Sequence, residues 1–383
     1  MNAEKILHER SITALLGANA SVEHVHSLGP ARIVVPPLPT GGHFFDLWPV
    51  RELPWQRMWQ APHYDSFAPP VFVLNNVLLH SSAGILAIGD TVIAESLAYT
   101  NPGDHHYRAL VRGIALPPGP VKRLAGTHVS LLAAGEKEYR HAMLHGLARL
   151  TCIPENYLLA SESVLVPAGG IFQAEALGLL DMLPSLAVRT IAANETLLVE
   201  TLVFPLSVCG ESAYHPCLLD FFARISANVS AAPARLPRRV YIDHRENFVR
   251  PLRNEAALIA GLAELGFVPV RLEQLSLADQ VRLFRQADVI VSPHGSALTN
   301  LGFCRPGCLV VECLMDAYVD WSFRNLAALA DLRYDCVVGR APTPWGELDL
   351  NFHVTPWDIS VNHVVAAAAH SLGIGASHRA KAA

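Results

Sequence analysis

Between Tyr241 and Glu312 the sequence gathers side chains suited to an anion with several oxygens. Arg245 and Arg250 carry guanidinium forks that match phosphate oxygens two at a time. Asn254 and Glu255 open the next apolar stretch, and His294-Gly295-Ser296 is followed by Thr299 and Asn300. Gly295 lets the backbone approach a ligand closely, and the helix start behind it offers free N–H groups and a dipole favourable to negative charge. His294 can donate to a phosphate oxygen, and Glu312 can accept from ribose hydroxyls. Together these groups fit a nucleotide diphosphate. Each alone has a plainer reading. A His-Gly-Ser loop is common, Glu312 suits a capped strand end, and Arg250 and Glu255 suit solvated charges at a helix start.

What favours the shared reading is the pattern that must position these residues. Val240–Asp243, Phe267–Leu272, Asp288–Ser292, Leu309–Cys313 and Arg333–Val338 read as strands. Asn254–Leu265, ended by Gly266, reads as a helix, as does the stretch capped by Ser276 with Asp279 three residues on. A short helix is expected from Ala297, and another over Tyr318–Ala330. Strands alternating with helices through short links imply parallel βαβ units, whose ligands bind outside the carboxyl ends of the strands. The candidate residues fall there.

The first half is less regular. Arg32–Val35, Val71–Leu79, Ile85–Ile93, His128–Leu132, Ser161–Val166 and Thr196–Phe204 read as strands. Glu138–Leu150, Gly169–Leu180 and Pro216–Ile225 read as helices. The expected organisation is an N-terminal α/β domain over 1–225, a linker over 226–238, a Rossmann-like domain over 239–373 and a disordered tail over 374–383. The 383 residues suit two domains, and a chain with 51% hydrophobic residues can fill two cores. A net charge of −5 without a basic stripe argues against nucleic acid as a partner. Seven cysteines without framework spacing fit a reducing compartment, and Cys304, Cys308 and Cys313 read as buried apolar groups rather than a metal knuckle. No signal peptide or transmembrane run is read, so a cytoplasmic protein is expected, with any membrane contact peripheral.

The stretch from Val240 to Cys313 resembles the hallmark region of glycosyltransferase family 61. The resemblance rests on Tyr241–Ile242, Arg245, Arg250, Asn254–Glu255, Gln280, His294-Gly295-Ser296-Ala297-Leu298-Thr299-Asn300, Phe303, Pro306-Gly307 and Val310-Val311-Glu312. A weaker likeness covers Tyr139-Arg140-His141 through Arg149-Leu150, with His145 where the family has an acid, and His215-Pro216. Serine at 296 and histidine at 244 depart from a commoner alanine and serine. The resemblance implies a GT-B-like fold of two Rossmann-like α/β domains facing a cleft. It also implies an inverting transferase moving a sugar from a uridine-diphosphate donor to a glycan or glycolipid acceptor, in bacterial members for surface polysaccharide. The sequence contains no Asp-x-Asp, so a metal-free site is expected, in which arginines and a helix end meet the diphosphate charge, with no cofactor.

An inverting transfer needs a base for the acceptor hydroxyl, and His141 is the candidate, with His145, His43, Asp46 and Glu255 as rivals. A histidine among apolar helix neighbours equally fits a packed core residue. His105–His106 beside Asp104 reads as polar surface rather than a metal cluster, and the aromatic-rich segment His43–Trp59 as core packing rather than a sugar platform. A non-catalytic nucleotide- or glycan-binding protein on the same fold is the alternative function.

Overall fold

A computed structural model describes residues 8–16, 19–37, 61–80, 83–97, 121–133, 135, 138–180, 186–193, 195–210, 212–231, 236–244, 249–342 and 354–372. Arg245, His43, Asp46, the segment 43–59, the 104–106 loop and the 374–383 tail lie outside them. The chain is mixed α/β and forms two compact units, one of residues 1–31 and 65–228, the other of residues 32–64 and 229–383.

The first unit is built on a nine-stranded mixed sheet. Its centre is the pair Pro70–His80 and Thr196–Pro205, antiparallel and in register from Val71 against Pro205 to His80 against Thr196. Val71, Leu74, Val77, Leu197, Val199 and Leu202 are fully buried, so these runs read as apolar on both faces. Thr196–Pro205 runs parallel to Lys122–Ser130, with a register shift between Val199 and Thr201. At the shift Glu200 accepts the Gly126 N–H at 3.1 Å. Gly126 has φ +86°, a left-handed conformation that glycine adopts without strain.

Three expectations for this unit change. The sheet is not the purely parallel one of a Rossmann-like domain, because hairpin connections add the antiparallel strands Ile85–Ile88 and Thr91–Ile93 beside Pro70–His80. The expected single strand Ile85–Ile93 is split by the turn at Gly89, φ +63°. The expected helix over Glu138–Leu150 is a π-turn at His141–Gly146 running into a 3₁₀ segment at Leu147–Cys152. Gly146 lies so close to Leu131 that a Cβ would be 3.2 Å from the Leu131 carbonyl, and the chain widens and then tightens around that contact.

The second unit is a five-stranded parallel sheet. The order across it is Val268–Val270, Arg239–Ile242, Val289–Pro293, Leu309–Met315, Arg333–Gly339. Every residue of Val289–Pro293 and Leu309–Met315 is buried. Full burial of each valine or leucine contributes about 1.5–3 kcal/mol relative to exposure. The Ser276 hydroxyl caps the Leu277–Gln286 helix by accepting the Asp279 N–H at 3.2 Å. Gly266, φ +76°, turns the chain after Glu255–Ala263. That helix packs on Val361–Ser371, where Gly261 lets Val361 and Val365 come close. The strand order reverses between Arg239–Ile242 and Val289–Pro293, and a crevice opens at such a switch point beyond the carboxyl ends.

Candidate functional site

Asp243-His244 and His294 follow the two strands flanking the switch point. His294 is fixed twice. Its N–H donates to the Cys313 carbonyl at 2.9 Å, and its Nδ1 donates to Glu312 Oε1 at 2.5 Å. Glu312 has no exposed surface, and its second oxygen accepts the Tyr334 hydroxyl. A buried carboxylate is tolerated only when hydrogen-bonded in this way. The expected ribose contact for Glu312 is therefore replaced by a positioning role: it holds the His294 ring and leaves Nε2 for a ligand. The Tyr334 hydroxyl titrates well above its ordinary range because burial, then the Glu312 charge, disfavour the phenolate.

Aromatic rings wall this histidine. Tyr318 meets it edge-on with centroids 5.4 Å apart, and Phe323 lies 5.2 Å away. The Arg250 guanidinium sits over the Tyr318 ring, 4.8 Å from its centroid. Arg250 adopts φ +50°, a left-handed conformation costing about 1–2 kcal/mol for a non-glycine residue. Its carbonyl accepts the Trp357 indole N–H at 2.8 Å, and Trp357 is buried, which pins the turn. The neighbouring chain is clamped by Asn254, whose amide donates to the Ile359 carbonyl at 2.7 Å and accepts the Ile359 N–H at 3.1 Å. Glu255 is buried and accepts the Tyr241 hydroxyl at 2.8 Å and the His244 N–H at 2.7 Å. Asn254 and Glu255 thus build the Arg250 turn and the His244 loop. Both Glu255 bonds are taken by Oε1, and both Asn254 bonds run to Ile359.

Gly295 is extended, at φ 174°, so its backbone suits any residue. The space does not, because a Cβ there would stand 3.1 Å from His244 Cε1. The following turn, Ser296–Phe303, is a 3₁₀ helix. Ser296 is half-buried at its start. Asn300 is buried and donates to Gln280 Oε1 at 2.8 Å, and Gln280 donates in turn to the Leu272 and Leu275 carbonyls. The Thr299 hydroxyl is buried without a hydrogen-bond partner. Burial, then the Arg250 charge, push the His244 pKa down to about 4. The structure therefore brings Arg250, His294, Gly295 and the start of Ser296–Phe303 to one edge. Sequence reasoning missed Tyr318, Phe323, Tyr334 and Trp357. An aromatic residue soon after the strand bearing Glu312 was the available signal.

A cavity of about 340 Å³ lies at the opposite, amino ends of these strands, lined by Asp288, Arg305, Gly307, Cys308 and Arg333. It holds none of the predicted site residues. Among the described residues no group of three His, Cys, Asp or Glu side chains is placed to hold a metal ion, and no helix is long and apolar enough to cross a membrane. Cys308 and Cys313 are buried in the sheet, and burial raises the Cys313 thiol.

In the first unit, His141 stands at the head of the π-turn, with its side chain 21% exposed. Its Nε2 is 3.7 Å from Glu138, which also accepts its backbone N–H at 3.0 Å. Burial lowers its pKa, with Glu138 partly opposing, so the ring is a neutral acceptor at pH 7. Beside it is a pocket of about 10 Å³, lined in part by Leu131, Gly146, Pro167 and Gln173. His145 is buried, 5.1 Å from the His141 ring, and shares a hydrogen bond with Ser207 Oγ at 3.1 Å. Arg149 is buried and donates to the Leu132 and Pro205 carbonyls at 3.3 and 3.4 Å, and burial pulls its pKa down to about 10.

Comparison with known proteins adds two findings. The family described as Glycosyltransferase 61 matches residues 139–311, from Tyr139 beside His141 to the residue before Glu312. The protein O-linked-mannose beta-1,4-N-acetylglucosaminyltransferase 2 of Canis lupus familiaris is 32% identical over 139 residues, which cover 34% of this chain and 23% of that protein. The chain thus spans about a quarter of the length of this relative. Both findings support a transferase, and specifically a glycosyltransferase.

Proposed function

We propose that this protein transfers a sugar from a nucleotide-diphosphate donor, a uridine one, to a hydroxyl of a glycan or glycolipid acceptor, with inversion at the anomeric carbon. The observation that carries the reading is the edge where Arg250, braced on Tyr318, and His294, held by Glu312, stand beside the helix start at Gly295. As the bond from the anomeric carbon to the diphosphate breaks, negative charge grows on the β-phosphate. A fixed guanidinium, helix-end amides and a doubly protonated His294 ring, which donates from Nε2 while Glu312 takes the Nδ1–H, stabilise that charge without reorganising. Arg245, by its place in the sequence after the same strand, joins them. These cations do the work that an Asp-x-Asp-bound metal does elsewhere, so the reaction proceeds in the presence of chelator. Asn254, Glu255, Glu312 and Asn300 support the site from behind.

His141 is the proposed base for the acceptor hydroxyl. Its neutral ring, with Glu138 near Nε2, can take up a proton near pH 7 and keep it in a stabilised form. The test is release of uridine diphosphate from a panel of uridine-diphosphate sugars, offered with glycan acceptors and chelator. Acceptor-dependent release that falls about 10²–10⁴-fold in His141→Ala, with donor affinity kept, supports the full reading. Donor binding without turnover on any acceptor, unchanged by His141→Ala, favours a non-catalytic binding protein.

A further inference from the structure

We propose that His244 is a donor-binding residue that is neutral in the free protein, takes up one proton when the donor binds, and donates it in a hydrogen bond to the diphosphate. This rests on the donor-site reading and deepens it. The ring lies against Gly295, 3.1 Å from where a Cβ would stand, and so at the head of the Ser296–Phe303 turn where an anion would sit. The His244 backbone is anchored by the bond from its own N–H to Glu255 Oε1 at 2.7 Å.

The surrounding charges explain the switch. Burial opposes a proton on His244 most, the Arg250 and His294 charges oppose it further, and Asp243 favours one. Asp243 is itself engaged by Arg271 at 3.5 Å. Glu255 Oε1 accepts from Tyr241 and from the His244 backbone, which places a further carboxylate beside His244. The helix start adds further positive potential. An empty site therefore rejects the extra proton, and the His244 pKa of about 4 agrees. A bound diphosphate reverses the balance, because its negative charges meet the ring from the side that the cations occupy. The proton comes from solvent. When the bond from the anomeric carbon to the diphosphate oxygen breaks, the electron pair moves to that oxygen, and the hydrogen bond from His244 steadies it. On release of the diphosphate the proton returns to solvent. A serine here could donate but could not change charge.

The experiment is calorimetric titration of the whole protein with a uridine-diphosphate sugar. The esterified diphosphate of such a donor does not titrate between pH 5.5 and 8, so protons exchanged belong to the protein. Heats measured in buffers of different ionisation enthalpy report the proton count, and affinity is followed over the same pH range. The expected result is uptake approaching one proton, with affinity falling by up to about tenfold per pH unit as pH rises toward the bound-state pKa. His244→Gln and His244→Ser, checked for unchanged folding by circular dichroism, should bind more weakly and lose both the uptake and the pH slope. Binding with no proton uptake overturns the proposal while the donor site stands. Uptake that persists in both variants also overturns it, assigning the proton elsewhere. No binding at all overturns the donor site and this inference together.

Discussion

The two histidine-bearing regions of this protein hold buried charge in opposite ways. In the second unit Glu312 is fully buried yet grips His294 and Tyr334, one per oxygen. In the first unit Arg149 is also buried and donates to two carbonyls at 3.3 and 3.4 Å, with burial lowering its pKa to about 10. The first arrangement spends a buried carboxylate to aim one imidazole. The second is a cation held at a cost and weakly repaid by neutral acceptors. The difference teaches that burial alone does not mark a working residue; what the buried group orients does.

That contrast can be broken at its strongest point first. Glu312→Ala leaves the Tyr334 hydroxyl and His294 Nδ1 buried without their acceptor. It should destabilise the protein by about 3–5 kcal/mol in urea unfolding and abolish nucleotide binding. A loss below about 1 kcal/mol with binding intact would show that the carboxylate positions nothing.

A pH series sharpens the comparison next. The folded His244 pKa is depressed from 6.5 to about 4, so the folded state binds fewer protons than the unfolded one between those values. Stability is therefore full above about pH 6.5 and falls as pH drops toward 4, by roughly 1–3 kcal/mol. His141, lowered in the same direction, adds to the loss. His244→Gln should flatten the stability profile measured by denaturant unfolding from pH 7 to 4. An unchanged slope would place the acid sensitivity elsewhere.

Arg149→Met should then change stability by less than about 1 kcal/mol, since relief of a buried cation offsets two long hydrogen bonds. A loss of several kcal/mol would make Arg149 as tightly integrated as Glu312. The smallest effect belongs to Thr299→Val. The buried hydroxyl has no partner, so thermal unfolding should shift by no more than about 1 kcal/mol in favour of the variant. A drop in donor affinity with stability unchanged would instead make Thr299 a ligand contact.

The two units also differ in how far the sequence discloses them. Val289–Pro293 and Leu309–Met315 are buried on both faces and bounded by a capping serine and by glycine, so strand and helix positions were readable, and the site followed from the strand ends. The role of Glu312 was not readable, because its partner Tyr334 lies 22 residues on, in the next strand. Asn254 and Glu255 read as ligand groups, but their partners Ile359 and Tyr241 become neighbours only in the fold. The helix Val361–Ser371 was missed although Ser360 caps it, accepting the His363 N–H at 3.4 Å. In the first unit Tyr139, Met143 and Leu147 keep a spacing of four that suits an α-helix. Within the π-turn Gly146 packs against the Leu131 carbonyl, a contact that the local spacing does not carry.

The central claim is that the edge formed by Arg250 and His294 binds the nucleotide diphosphate. Titration of the wild-type protein and of Arg250→Ala with uridine diphosphate, chelator present, tests it most directly. Saturable binding that weakens by about 10–100-fold in Arg250→Ala, with the folded state intact, is the predicted result. Equal affinity in both proteins, or no binding by either, would contradict it.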